Sequence, residues 1–202
     1  MLQKLESNAG QQRFSPDQLE PLTIRLESLL SRGIPVVLAI DGRAASGKSS
    51  LAKTLAKDYA CRVVHMDDFL LPQELRTAER LSEPGGNLHY ERFVAEILPG
   101  LRDKAGFSYQ AFDCDRMQLG EWRNLLPAQL TIVEGAYALH PKLGTYYDLT
   151  LFLSCPLETQ LARVKARNPF KIEQFLTRLI PLEETYFEVF GIEDAAYFII
   201  QI

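Results

Sequence analysis

The sequence predicts an α/β fold built on a five-stranded, mainly parallel sheet with helices on both faces. Short apolar segments rich in β-branched residues, typical of strands buried on both sides, alternate with segments whose apolar residues recur at helical spacing. Strands that alternate with helices form βαβ units, which favour parallel pairing. The five predicted strands are 34–40, 61–66, 130–133, 149–153 and 197–202.

The N-terminal region is predicted to form a tail and one helix. Leucines at helical spacing indicate a helix that ends at Gly33. The helix starts either at Pro16, which follows a serine in a capping-box pattern, or at Pro21. Residues 1–14 are polar, and we expect them to be frayed.

The remaining helices carry more specific expectations. A helix that opens at Pro156 is expected to turn Leu157, Leu161 and Val164 towards the core. Pro181 is expected to interrupt the last helix. Residues 72–88 contain two prolines and two glycines and therefore predict a long loop, which in a compact domain usually has a function. The predicted helices cover 48–59, 93–101, the stretch after Pro156 and 172–179.

Composition narrows the classes of function. The 202 residues are 47% hydrophobic and 24% charged, as in an ordinary globular domain. The net charge of −4 argues against a protein that coats nucleic acid, because such a protein needs a basic face. Three scattered cysteines, no leader-like N-terminus and no long apolar run predict a soluble, cytoplasmic protein without membrane contact. The sequence leaves open whether the protein forms a homo-oligomer.

A phosphate-binding loop follows the first predicted strand and precedes a helix. The segment fits the pattern G-x-x-x-x-G-K-[ST] at every fixed position. Its glycines allow backbone N–H groups to converge on a phosphate, its lysine reaches the outer phosphates, and its last serine offers a hydroxyl to Mg²⁺. The sequence therefore predicts a P-loop NTPase fold that binds ATP. The predicted nucleotide-binding loop is Gly42, Arg43, Ala44, Ala45, Ser46, Gly47, Lys48, Ser49 and Ser50.

Acidic residues follow two of the other predicted strands. Asp67 and Asp68 end the second strand and Glu134 ends the third, and carboxyl ends of parallel strands border the ligand crevice. Adjacent residues point in different directions, so one aspartate is expected to face the phosphates, and Asp67 is favoured. Such acids can take a proton from a hydroxyl or hold a metal ion.

The ordered set of motifs resembles the uridine kinase and phosphoribulokinase family of P-loop kinases from about residue 34 onward. Arg163 and Arg167, four residues apart on one helix flank, precede the last of these motifs. The segments that carry the resemblance are 41–49, 66–69, 86–87, 92–93, 109, 112–113, 133–135, 147–148, 152 and 181–187.

The resemblance implies roles for these residues. Asp67 would be the general base and Lys48 its catalytic partner at the phosphates, while Ser49, Asp67 and Glu134 would hold Mg²⁺. Arg163 and Arg167 would close over the ATP phosphates from a lid at about 157–190, with Arg178 a weaker candidate. Residues 34–202 would form the kinase domain, with 1–33 as a tail and helix packed on it.

The acceptor side departs from the family pattern. Where uridine kinases usually place a sugar-binding aspartate this chain has His89, and where they commonly place a base-reading histidine it has Cys114. Kinase chemistry is therefore better supported than uridine as the substrate. The candidate acceptor residues are Asp68, His89, Tyr109, Asp113 and Arg116.

The predicted activity is transfer of the γ-phosphate of ATP to a hydroxyl of a small molecule, with a nucleoside as the leading acceptor. A sugar phosphate or a pantothenate-like alcohol is the alternative. A GTP-binding switch is a third hypothesis, but the chain lacks N-K-x-D, and its D-x-x-G at 103–106 closes a predicted helix and does not follow a strand.

Overall fold

The computed structural model describes residues 11–114 and 116–202. A six-stranded sheet, parallel throughout, has the strand order β1-β8-β7-β2-β6-β3, and β4 and β5 form a separate antiparallel hairpin. The strands are β1 (Gln12–Phe14), β2 (Val36–Gly42), β3 (Cys61–His65), β4 (Phe107–Asp113), β5 (Gln118–Leu125), β6 (Leu130–Glu134), β7 (Leu149–Ser154) and β8 (Phe198–Gln201).

The predicted fold class is confirmed, but the sheet has six strands where the sequence predicted five. The extra strand, β1, lies in the tail predicted to be frayed, of which residues 1–10 are outside the described residues. It pairs with β8 at the sheet edge, and Phe14 packs against Phe198 with ring centroids 5.3 Å apart. An edge strand with one buried side chain shows no continuous apolar run, which is why the pattern missed it.

Nine helices stand around this sheet in the described part of the chain. The first begins at Glu20 with Pro21 in its first turn, so Pro21 and not Pro16 marks its start. The predicted helix 93–101 is two short helices, because Pro99 cannot donate a backbone hydrogen bond. The helices are α1 (Glu20–Leu30), α2 (Lys48–Asp58), α3 (Ala78–Ser82), α4 (Tyr90–Glu96), α5 (Leu98–Leu101), α6 (Leu157–Arg167), α7 (Ile172–Gln174), α8 (Ile180–Phe190) and α9 (Ile192–Ala195).

The sheet has an apolar core on each face. Along β2, Leu38 and Ile40 join the cluster that contains the buried side chains of α1 and α2, whereas Val37 and Ala39 join the cluster on the opposite face. This alternation follows from the two-residue period of a strand. Within 11–114 and 116–202, no helix is long and apolar enough to cross a membrane.

Two expectations about the C-terminal helices are wrong. Leu157 is exposed, and Gln160 and Val164 are the buried side chains of α6. Pro181 does not interrupt its helix, because a π-helical segment, Phe175–Leu179, runs directly into α8. The wider π turns accommodate the missing proline N–H and the ring.

The hairpin β4–β5 was not predicted as strands. Most side chains of β5 are exposed, so the alternation that marks a half-buried strand is absent there. The hairpin packs on the turn Met66–Phe69 that follows β3, where the rings of Tyr109 and Phe69 lie 5.2 Å apart. It therefore stands beside the carboxyl end of the sheet.

Candidate active site

The loop after β2 has the backbone geometry of a phosphate cradle. Gly42 (φ +135°) and Gly47 (φ +103°) occupy regions that L side chains rarely adopt. A Cβ on Gly42 would lie 2.1 Å from the carbonyl oxygen of Leu153 on β7. Only glycine fits there, because the loop leaves the sheet in contact with the neighbouring strand. Gly47 then serves as the N-cap of α2, whose N-terminus faces the cleft.

A cleft of about 720 Å³ opens at the carboxyl ends of the parallel strands. In the register of the sheet, Glu134 on β6 lies between Ile40 on β2 and His65 on β3. The phosphate loop, the second-strand acids and Glu134 are therefore adjacent. The predicted site residues that line the cleft are Ala44, Ala45, Gly47, Lys48, Ser49, Ser50, Asp67, Glu134 and Arg167.

The Lys48 side chain folds back over its own loop. Its Nζ donates hydrogen bonds to the carbonyl oxygens of Gly42 (2.6 Å) and Arg43 (2.9 Å). The side chain is buried, although its ammonium group lies at the cleft wall. An ammonium group that donates to two carbonyl oxygens can donate to phosphate oxygens instead when a phosphate enters the loop.

Ser49 and Glu134 form the oxygen-rich corner of the cleft. The Ser49 hydroxyl lies 3.1 Å from each carboxylate oxygen of Glu134, and His65 Nδ1 lies 2.5 Å from one of them. This hydrogen bond to Glu134 raises the pKa of His65. Hydroxyl and carboxylate oxygens are the ligands that Mg²⁺ prefers, so the donor set fits that ion.

A metal ion at this corner would need ligands besides the protein. No group of three or more His, Cys, Asp or Glu side chains in the described residues is arranged to hold a metal. Magnesium sites in nucleotide-binding proteins usually combine one or two protein oxygens with phosphates and water. Ser49, Asp67 and Glu134 therefore fit a metal that arrives with the nucleotide.

Asp67 points into the cleft, as the sequence favoured. Its side chain is exposed to the solvent of the cleft. Desolvation by the surrounding groups, together with the nearby charge of Glu134, raises the pKa of Asp67. A carboxylate with a raised pKa is a stronger base than one with the ordinary value.

Asp68 and Tyr109 lie outside the cleft. The Tyr109 hydroxyl donates a 2.7 Å hydrogen bond to Asp68, and the Arg123 guanidinium lies 3.6 Å from the same carboxylate. Burial first, and then the bond to Asp68, raises the pKa of Tyr109, which keeps the hydroxyl protonated as a donor. The two residues fasten the hairpin to the turn that carries Asp67.

Three other acceptor candidates also lie away from the cleft lining. His89 precedes α4, and its backbone N–H donates to the Phe69 carbonyl (2.7 Å). Asp113 accepts from the Arg116 backbone N–H (3.0 Å) at the hairpin tip. The tip instead contributes Cys114 and Met117 to the cleft.

Helices α6 and α8 contact the phosphate loop directly. The Arg163 guanidinium donates to the Ala45 carbonyl (3.0 Å). The Arg43 Nε and Nη2 donate to Glu184 on α8 (2.8 and 3.0 Å), while its Nη1 donates to Ser154 and Glu193. Arg43 therefore offers the loop its backbone, while its side chain joins the loop to the last helix.

Glu183 is a site residue that the sequence did not single out. It is buried, lines the cleft and accepts a 2.8 Å hydrogen bond from the Ala44 backbone N–H. Desolvation raises its pKa to about 7, although Lys48 and the Ala44 bond oppose the shift. Only the fold brings residue 183 to residue 44, so no local pattern could have indicated it.

Further cations surround the same cleft. Although the chain has a net charge of −4, positive side chains outnumber the acids in the lining. Sequence reasoning named Lys48 and Arg167 among them and gave Arg178 a minor place. The basic lining residues are Lys48, Lys53, Arg76, Arg167, Lys171 and Arg178, and the acidic ones are Asp67, Glu134 and Glu183.

No protein-family model matches the chain. Among solved structures, it superposes with a TM-score of 0.65 on a candidate fructose transport system kinase from a Silicibacter species, at 20% identity over 88% of this chain and 98% of that one. A possible uridine kinase from Bacillus stearothermophilus gives 0.64 at 19% identity, covering 89% and 99% of the two chains. D-glycerate 3-kinase from Cryptococcus neoformans gives 0.58 at 15%, covering 82% and 87%.

The chain has the P-loop kinase fold. The three structures share this fold at identities of 20% or less, so the acceptor of each is a property of that protein alone. Almost the whole length of the first two is matched.

Proposed function

We propose that the protein is a small-molecule kinase that transfers the γ-phosphoryl group of ATP to a hydroxyl group. The observation that carries this proposal is the joint placement of Lys48, Ser49, Glu134 and Asp67 around one cleft on a P-loop kinase fold. The first three suit a metal-bound triphosphate, and Asp67 adds a base with a raised pKa.

The residues divide the chemistry between them. The amides of the phosphate loop and the N-terminus of α2 bind phosphate oxygens, and Lys48 exchanges its two carbonyl partners for them. Asp67 accepts the proton of the acceptor hydroxyl as that oxygen attacks the γ-phosphorus, and ADP leaves. Mg²⁺ held near Ser49 and Glu134 would neutralise charge on the transferred group.

The C-terminal segment at about 157–190 serves as the lid in this proposal. Arg163 already contacts the loop through the Ala45 carbonyl, and Arg167 lines the cleft. Both are placed to approach the phosphates when they enter. Closing this segment would exclude water, which otherwise competes with the acceptor for the phosphoryl group.

The identity of the acceptor is the finer part of the proposal. A nucleoside is the acceptor that the motif resemblance implies, with a sugar phosphate or a pantothenate-like alcohol as the alternative. None of the five acceptor candidates lines the cleft in the described structure. That observation weakens the case for a nucleoside pocket of the usual kind.

A GTP-dependent switch is disfavoured by the location of its only candidate motif. In the loop 103–106, the Asp103 and Ala105 carbonyl oxygens accept hydrogen bonds from the Arg62 guanidinium, near the start of β3. The cleft lies at the other end of that strand, beyond His65. A D-x-x-G motif at that position cannot reach a γ-phosphate.

The test is a screen for ADP release with ATP, Mg²⁺ and individual nucleosides, sugars, sugar phosphates and hydroxy acids. We expect release that depends on one class of acceptor and is lost in Lys48→Ala. Lys57→Ala, at an exposed position in the last turn of the same helix, is the matched control. Release that Lys48→Ala does not reduce would contradict the proposed function.

A further inference from the structure

Arg76 is held at the wall of the cleft by the segment that follows Asp67. Its Nε donates a 2.7 Å hydrogen bond to the Leu71 carbonyl, which fixes the side chain. Leu71 in turn pairs through its backbone N–H with Asn87 (2.8 Å). The guanidinium therefore has a defined position beside the region between Asp67 and the hairpin tip.

Arg178 lines the same cleft from the π-helical segment of the lid. The two guanidinium groups are close enough for Arg178 to lower the pKa of Arg76, after the larger effect of desolvation. Among the residues that the structure describes, no carboxylate lies within 4.0 Å of either group. By contrast, the partly buried Arg43, Arg80 and Arg92 each have a carboxylate partner.

Two cations that face one cleft, without a carboxylate partner among the described residues, attract an anion into it. The triphosphate does not need this pair, because Lys48, Arg163 and Arg167 already stand at the phosphate loop and its lid. Arg76 also interacts electrostatically with Cys114 of the hairpin tip. The pair is therefore placed to serve the second substrate.

We propose that Arg76 and Arg178 bind an anionic group of the phosphate acceptor, so that the substrate is a phosphorylated or carboxylated alcohol. This inference rests on the proposed function and specifies its substrate class. Guanidinium groups bind phosphate and carboxylate through paired hydrogen bonds. Since Arg178 belongs to the proposed lid and Arg76 to the segment that follows Asp67, the bound anion links these two segments and closes the cleft over the reacting hydroxyl.

The test compares matched acceptors that differ in charge. Glycerol, glycerol 3-phosphate and glycerate form one set, and ribose, ribose 5-phosphate and ribonate form a second. The neutral, phosphate and carboxylate arms separate the two sources of negative charge. We expect ADP release with one anionic arm and little with its neutral counterpart. Faster release with neutral acceptors than with either anionic arm would overturn the inference.

The variants Arg76→Gln and Arg178→Gln locate the anion. Arg178 is exposed, so its replacement leaves the fold intact. Each variant is expected to raise the KM for the anionic acceptor about 10- to 100-fold, with the KM for ATP within about threefold of wild type. Arg178→Lys is expected to recover part of the loss, and Arg32→Gln, at an exposed position, to change neither KM. A rise in the KM for ATP alone would assign the pair to the nucleotide and overturn the inference.

Calorimetry separates this inference from the proposed function. Glycerol 3-phosphate and glycerate are titrated into the protein saturated with a non-hydrolysable ATP analogue and Mg²⁺. Binding that is lost in Arg178→Gln, without any phosphoryl transfer by the wild type, supports the anion site and contradicts the kinase. Phosphoryl transfer that both arginine variants retain with an unchanged acceptor KM supports the kinase and contradicts the anion site.

Discussion

The carboxylate of Glu183 accepts a 2.8 Å hydrogen bond from the Ala44 backbone N–H. The Glu183 side chain, on α8, thus accepts the hydrogen bond of a backbone N–H group that a phosphate would otherwise bind. The neighbouring Glu184 holds the Arg43 guanidinium, so α8 contacts the loop on two sides. Entry of nucleotide must therefore displace or neutralise Glu183.

Glu183→Gln is predicted to remove a pH dependence of nucleotide binding. The pKa of Glu183 is about 7, so the wild-type side chain is neutral at pH 6 and repels phosphate at pH 8. Wild-type affinity for an ATP analogue is expected to weaken about tenfold more than that of Glu183→Gln over this interval. Calorimetry at both pH values measures the difference, and parallel profiles for the two proteins would refute it.

The same group affects stability with a defined sign. Its pKa in the folded state lies above the ordinary value of 4.5, so the stabilising contribution of the neutral form is complete below about 4.5 and is lost as the pH rises through about 7. Urea unfolding from pH 5 to 8 should show a steeper fall in stability for wild type than for Glu183→Gln. Equal slopes would mean that Glu183 is not desolvated.

Asp67→Asn is predicted to lower kcat by about 10² to 10⁴, because the hydroxyl loses its proton acceptor. Nucleotide affinity should stay within about threefold, since the loop and Lys48 are unchanged. Asp68→Asn, at the neighbouring position, is the matched control. It keeps an oxygen for Tyr109, and we expect its kcat to stay within about tenfold of wild type. The opposite ranking of the two variants in steady-state kinetics would assign the base to Asp68.

Gly42→Ala is predicted to destabilise the protein by about 3 kcal/mol or more. The new methyl group would collide with the Leu153 carbonyl oxygen, which belongs to rigid backbone of the sheet. Gly33→Ala is the control, because it also has a positive φ (+71°) but no neighbour within 4 Å, and it should cost about 1 kcal/mol. Equal losses in denaturant unfolding would show that the contact with β7 is unimportant.

Arg62→Met is predicted to cost about 2–4 kcal/mol of stability without changing substrate affinity. The buried guanidinium donates to the Thr131 hydroxyl and to four backbone carbonyls, at residues 100, 101, 103 and 105. Methionine leaves these acceptors without their donor. Arg32→Met, at an exposed position, should stay within about 0.5 kcal/mol of wild type. Thermal and urea unfolding of both variants measures the two losses of stability, and equal losses would contradict the prediction.

Local patterns predicted the elements that depend on local chemistry. The phosphate loop needs glycine at fixed positions, and the buried strands need continuous apolar runs, so 36–40 and 42–49 were visible in the sequence. The edge strand β1 and the exposed hairpin strand β5 carry neither signal. Their pairing depends on backbone hydrogen bonds, which any sequence can supply.

Tertiary contacts account for the rest. Gln160 and not Leu157 faces the core because the packing of α6 selects its face. Glu183 and Arg76 reach the cleft only after the chain has folded, from positions far from the loop in sequence. In the proposed function, the acceptor side would be formed by the hairpin, the segment after Asp67 and the lid, and no single local motif spans these three parts of the chain.

The most direct test of the account follows the γ-phosphate itself. The protein is incubated with Mg²⁺ and ATP labelled in the γ-phosphate, together with the acceptor found by the screen, and the products are separated. The account predicts label in the acceptor with wild type and with Lys57→Ala, none with Lys48→Ala, and label that forms at least about 100 times more slowly with Asp67→Asn. Label that appears only as inorganic phosphate, whatever the acceptor, would contradict it.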